Sequence, residues 1–130
     1  MKLKLVLVMV GLFCHIPSSA NAETAIEVQS MCRTVGNATL DNQGGIIISD
    51  VGGWFCWGAF AALQGLSGLS RLTWEHGEMT AGFCAPPEST RVQLVKVFLK
   101  YADEHPEKAH LGFGNVAFLA LVKAFPCPQP

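Results

Sequence analysis

Phe83-Cys84-Ala85-Pro86-Pro87-Glu88, His105-Pro106-Glu107 and Phe125-Pro126-Cys127 are three short runs that bracket two apolar-periodic segments of similar length. Pro86 and Pro87 exclude helix before Glu88, and Thr90-Arg91-Val92-Gln93 has the spacing of a capping box, so a helix is predicted to begin at Thr90. Its apolar face is Leu94, Val95, Phe98, Leu99, Tyr101 and Ala102, with Lys96, Lys100, Asp103 and Glu104 mainly outward. His105-Pro106 ends it, because proline disfavours helical geometry in the residue before it while suiting the first turn of a new element. A last helix over about Ala109 to Phe125 is apolar nearly all round, which predicts burial or an oligomer contact. Packed antiparallel, the two helices bring Cys84 and Cys127 to the same end, a predicted bridge that leaves Cys32 and Cys56 to pair by exclusion.

At the start of the chain, Met1-Lys2-Leu3-Lys4, the apolar run Leu5 to Phe13 and the small Ala20-Asn21-Ala22 form the pattern of a secretory signal peptide cleaved after Ala22. The apolar run is about half of what spans a bilayer, so a membrane anchor is disfavoured and no membrane association is expected of the mature form. Removing residues 1–22 takes away Lys2, Lys4 and Cys14, leaving seven basic and ten acidic residues, a formal charge of −3. Residues 23–130 have the length of a single domain, and nothing in them makes a basic patch for nucleic acid. Four cysteines in an exported domain of this size read as two disulfides. No Cys-x-x-Cys pair occurs and the histidines are not spaced with the cysteines as zinc ligands, so neither a metal nor another cofactor is expected.

Glu23 to Val35 is predicted to be a short helix, acidic early and basic late, stopped by Gly36-Asn37. Asp41 to Gly45 is loop chemistry, and Ile46-Ile47-Ile48 could be briefly extended. Val51 to Ser70 has no charged residue, and Gly58, Ala61, Ala62 and Gly65 form a small-residue stripe, so a buried central helix is expected there. Trp54, Phe55, Trp57 and Phe60 are assigned to the core. From Ser67 to Gly82 the chain turns polar, and an exposed irregular loop is predicted, with Arg71, Trp74, Glu75, His76 and Glu78 as candidate partner-binding residues. The fold class is therefore mainly α: a small disulfide-stapled helical bundle of about four helices with a C-terminal helical hairpin.

The run Gln93 to Tyr101 with His105-Pro106-Glu107, framed by Phe83-Cys84-Ala85-Pro86 and Phe125-Pro126-Cys127, resembles the Rap/Tai family of immunity proteins, which protect bacteria against type VI secretion amidases. Cys56-Trp57-Gly58 matches the start of a further motif of that family. The resemblance implies a small helical periplasmic protein, often a homodimer, that binds a cognate peptidoglycan amidase toxin and performs no catalysis. A second function class is a periplasmic acid-stress chaperone of the HdeA-like kind, with His76, His105 and His110 as candidate switch groups, or an orphan binding module of the same fold. Against an exported enzyme stand the lack of Gly-x-Ser-x-Gly and His-Glu-x-x-His and of a free mature cysteine once both bridges form.

Overall fold

The computed structural model describes residues 23–39, 41, 45–76 and 82–128, apart from the side chain of Trp74. The predicted leader, residues 1–22, and Glu78 lie outside the described residues. Among the described residues four α-helices follow one another: α1 Ala25–Gly36, α2 Val51–Glu75, α3 Arg91–Glu104 and α4 Phe113–Ala124, with a 3-10 turn, Pro106–Lys108, between the last two. No strand occurs among the described residues, where two isolated antiparallel bridges pair Thr24 with Gly112 and Phe83 with Pro126.

Local chemistry starts each of the first three helices. Thr24 and Glu27 cap α1, the Thr24 amide donating to Glu27 Oε2 at 2.8 Å. Asp50 Oδ1 accepts from the Gly53 amide at 2.7 Å and so satisfies one of the orphan donors opening α2. At α3 the Gln93 amide donates to Thr90 Oγ1 at 3.2 Å while the Thr90 amide donates to Gln93 Oε1 at 2.7 Å.

Helix α1 lies across α2 and α3, and α4 packs against α3 and α1. The approach is close at the end of α1, where a Cβ built on Gly36 would stand 2.6 Å from Leu99 Cδ1. Into the space between the helices go Val28, Cys32 and Val35 from α1, Phe60 from α2, Leu94 and Phe98 from α3, and Val116 and Leu121 from α4. Each large apolar side chain buried this way contributes about 1.5–3 kcal/mol. Phe60, Phe98 and Phe113 stack as a cluster with ring centroids 5.3–5.9 Å apart. The Cys32–Cys56 disulfide crosses this core between α1 and α2. A second disulfide, Cys84–Cys127, with Cα atoms 4.8 Å apart, closes the open end of the α3–α4 hairpin, where the Cys84 amide also donates to the Phe125 carbonyl at 2.8 Å.

The chain entering α1 is stitched to the turn before α4. The Ala25 amide donates to Leu111 O at 2.8 Å, the Ile26 amide to Ala109 O at 3.1 Å, and the Phe113 amide to Glu23 O at 2.9 Å. This explains why α4 begins at Phe113 and not near Ala109: the carbonyls of residues 109 and 111 serve the start of α1, and Gly112, with ψ of 133°, holds an extended conformation. At the corner before it, Lys108 Nζ donates to the Tyr101 hydroxyl at 2.6 Å, and His105 Nδ1 lies 3.0 Å from Glu107 Oε1.

Helix α2 departs from expectation in two ways. It continues through the stretch read as an irregular loop, up to Glu75, where two polar side chains find partners without breaking it while Ser70 Oγ is buried with no hydrogen-bond partner among the described residues. Ser67 Oγ accepts from the Ala85 amide at 2.9 Å, and the Thr73 hydroxyl donates back to the Leu69 carbonyl at 3.0 Å. Trp54 and Phe55, assigned to the core, are instead exposed. The inward phase of the helix is set by Gly53, Cys56, Phe60, Ser67 and Ser70, which turns Trp54 and Phe55 outward; Trp57 is half-buried. Gly58 and Gly65, from the small-residue stripe expected to be buried, have open space beside them.

Candidate functional site

Two surfaces on α2 are candidates for partner contact. The first is its C-terminal end. Arg71 and Glu75, one turn apart, line a groove of about 240 Å³ against Cys84, Pro86, Pro126 and Pro128. The helix and the disulfide-closed end of the hairpin thus frame one concave, partly charged surface. Ser67 ties the two together through Ala85, so the groove stands on rigid elements. His76 follows the last helical residue and is exposed, its amide donating to the Leu72 carbonyl at 3.3 Å, and it does not line that groove. Trp74 belongs to α2, with its side chain outside the described set, as is all of Glu78. Of the five residues singled out from the sequence, three are therefore placed by a helix, and among the described side chains Arg71 and Glu75 are brought to a common groove.

The second surface is the outer face of α2. Val51, Leu69 and Leu72 are 87%, 56% and 58% exposed, and Trp54, Phe55 and Leu66 join them along one side of the helix. Gly58, Ala62 and Gly65 sit among them, so the face is apolar and low in relief. The sequence signal for this surface was the charge-free run from Val51 to Ser70; what it lacked was any polar side to reveal the phase.

One further constellation had no signal in the sequence. Arg91, the first residue of α3, stacks over Trp57 with its guanidinium carbon 4.2 Å from the ring centroid. The pair is 34 residues apart and shares no motif.

Two carboxyls are held below the usual glutamate range. For Glu27 the main cause is the hydrogen bond from the Thr24 hydroxyl, followed by that from the Thr24 amide. For Glu107 it is the hydrogen bond from its own backbone amide, followed by that with the His105 side chain. Both carboxyls act in capping and corner geometry. Among the described residues no group of three or more His, Cys, Asp or Glu side chains is placed to hold a metal ion, and no helix is long and apolar enough to cross a membrane.

A small, doubly disulfide-bonded helical bundle whose distinguishing surfaces are an apolar helix face and shallow grooves has the features of a protein built to bind another protein. The family comparison agrees. The model of the Rap1a immunity proteins matches residues 13–127, nearly the whole chain, and the protein belongs to that family. It is thus an immunity protein for a secreted effector, with a cognate toxin as its binding partner. Immunity proteins of this family generally act without catalysis. Comparison with curated proteins and with solved structures gives no match.

Proposed function

We propose that the chain is exported to the periplasm, loses residues 1–22, and there binds and blocks a peptidoglycan amidase delivered by type VI secretion. The observation that carries this reading is the family match over residues 13–127. Two disulfides support an oxidising compartment, and the basic, then apolar, then small-residue order of residues 1–22 supports export. The end of α2 is the surface assigned to the toxin, since Arg71 and Glu75 join charge to a rigid concave frame there; Trp74, His76 and Glu78, beside them in sequence, are assigned to the same contact. Inhibition is by occlusion of the amidase cleft, with no catalytic step in the immunity protein.

The outer face of α2 is assigned to a homodimer. An exposed apolar patch on the order of several hundred Å² is of the size that marks an interaction surface. An antiparallel pair of such faces would meet across Gly58, Ala62 and Gly65, with open space beside both glycines. Leu69→Glu with Leu72→Glu is expected to convert a dimer to a monomer in sedimentation velocity; wild-type protein sedimenting as a monomer at tens of micromolar would remove this assignment.

The same face also gives substance to the chaperone reading, because it is the kind of surface such a protein uncovers when its dimer opens in acid. The two functions separate in one set of assays. An immunity protein protects the cell wall from one amidase at neutral pH, whereas a chaperone keeps many unrelated unfolded clients in solution at low pH. The decisive test is hydrolysis of purified peptidoglycan by a candidate type VI amidase from the same genome, with and without excess mature protein. An undiminished rate would dismiss the inhibitor reading for that enzyme.

A further inference from the structure

Arg91 is half-buried, and its guanidinium is fixed on two sides. One side is the Trp57 ring, at 4.2 Å. The other is Gln64, further along α2, whose Oε1 accepts from Arg91 Nε at 3.4 Å while its amide nitrogen donates to the Ser89 carbonyl at 3.1 Å. The two terminal nitrogens of the guanidinium have no acceptor among the described residues. The group is therefore oriented and partly desolvated, yet its paired donors are unspent.

Arg91 lines a groove of about 660 Å³ whose walls also include Ala38, Ile46, Trp57, Val92 and Lys96. Lys96 is exposed and has no carboxylate partner among the described residues. The carboxylate on the neighbouring loop, Asp41, is engaged by the Gly45 amide at 2.7 Å. Two cations without a carboxylate partner among the described residues, set beside an apolar wall, stand out in a chain whose net charge is negative.

We propose that this groove is a docking site for an acidic loop of a partner protein, in which one Asp or Glu carboxylate accepts two parallel hydrogen bonds from the terminal nitrogens of Arg91 and an adjacent apolar residue lies against Trp57 and Ile46. A planar guanidinium matches a carboxylate in this two-pronged way, and charge-assisted bonds of this kind are about twice as strong as neutral ones. Stacking on Trp57 removes much of the rotamer freedom that arginine would otherwise lose on binding. Lys96 adds a second attraction without directional demand. Two cations do not make a phosphate-tracking surface, which takes many, and the apolar wall selects for a peptide over a small free anion. That the partner is an amidase rests on the functional reading above; the carboxylate chemistry of the groove does not.

Two measurements on the mature protein separate these claims. The first is a nuclear magnetic resonance titration with N-acetyl-Leu-Glu-Leu-amide and its glutamine counterpart, reading the Trp57 indole N–H and the Arg91 Nε–H. The glutamate peptide is expected to move both signals with about tenfold the affinity of the glutamine peptide. Arg91→Ala should abolish that preference, and Arg91→Lys should restore only part of it, since an ammonium offers no fork. Equal response to the two peptides, or an undiminished preference in Arg91→Ala, overturns the proposal. The second is calorimetric binding of the amidase to wild type, Arg91→Ala and Lys96→Ala. About tenfold weakening in Arg91→Ala, with a smaller loss in Lys96→Ala, supports the groove as the contact. Unchanged affinity in both variants overturns it while leaving the immunity reading intact. Failure of the amidase to bind wild type, with the glutamate peptide still selected, removes that amidase as partner and leaves the groove standing.

Discussion

Opening the two disulfides one at a time is expected to reverse the order that chain entropy alone assigns to them. Cys32 and Cys56 are separated by 24 residues and Cys84 and Cys127 by 43. Loop closure on those lengths gives about 3.5 and 4.0 kcal/mol, a small advantage to the longer loop under a model whose mechanism is disputed. Packing acts the other way and is larger. Cys32 and Cys56 are both 0% exposed within the core, so alanine at the two positions leaves sulfur-sized voids beside Val28, Val35 and Phe60. Such voids cost about 1 kcal/mol or more together. At the hairpin end Cys84 is only partly buried, and the strand-like pairing of Phe83 with Pro126 and the Cys84–Phe125 hydrogen bond persist without the bridge. Cys32→Ala/Cys56→Ala is therefore expected to lose about 5 kcal/mol and Cys84→Ala/Cys127→Ala about 4 kcal/mol. Against the roughly 5–15 kcal/mol of a typical domain, the first variant stands near the limit of folding. Urea unfolding followed by tryptophan fluorescence, with the slope checked for changes in the unfolded state, gives the comparison directly. A core-bridge variant with the higher stability would refute the packing argument.

Phe98→Ala, which empties a fully buried position touching both Phe60 and Phe113, should cost about 3–5 kcal/mol in the same assay. Thr90→Ala removes the acceptor for the Gln93 amide at the start of α3 and should cost about 1 kcal/mol, with Thr90→Ser close to wild type. The carboxyls of Glu27 and Glu107 titrate lower in the folded chain than in the unfolded one, so each stabilises the fold above the ordinary glutamate range and loses that contribution as pH falls through its depressed folded value. Tm should accordingly decline on acidification below the ordinary glutamate range, and Glu27→Gln should show a shallower decline; an equal slope in thermal scans from about pH 6 to about pH 3 would count against the Thr24–Glu27 hydrogen bonds as the cause.

The hairpin was legible because its determinants are local. Thr90 and Gln93 cap each other across three residues, and prolines mark the ends, so short-range chemistry alone sets the limits of α3. The length of α2 was hidden because the polar residues after Ser67 read as the start of a loop, whereas Ser67 finds its partner at Ala85, 18 residues away, and the Thr73 hydroxyl bonds back to Leu69. Its phase was hidden for a different reason: periodicity needs contrast, and a run without charge offers none, so Trp54 and Phe60 look alike in sequence while one faces water and the other the core. The start of α4 was misplaced because Ala109 and Leu111 give their carbonyls to residues that stand more than 80 positions earlier. For the candidate site the sequence located charge at Arg71 and Glu75, but the groove they share is made by Pro86 and Pro126 from the hairpin. The stacking of Arg91 on Trp57 is a product of tertiary packing alone.

The stitching of residues 23–26 to residues 109–113 sets an order of events for the newly made chain. Helix α1 supplies one side of the core, yet the amides of Ala25 and Ile26 in its first turn find their acceptors only once the last third of the sequence is present. Pairings of such long range come late, after the cost of closing the intervening chain has been met. A partial chain consequently has no finished hydrophobic interior and stays threadable until synthesis is nearly over. On the proposed export route, through a translocation channel as an extended polypeptide, this delay is protective: compaction waits for the far side, where the cysteines it brings together can be oxidised.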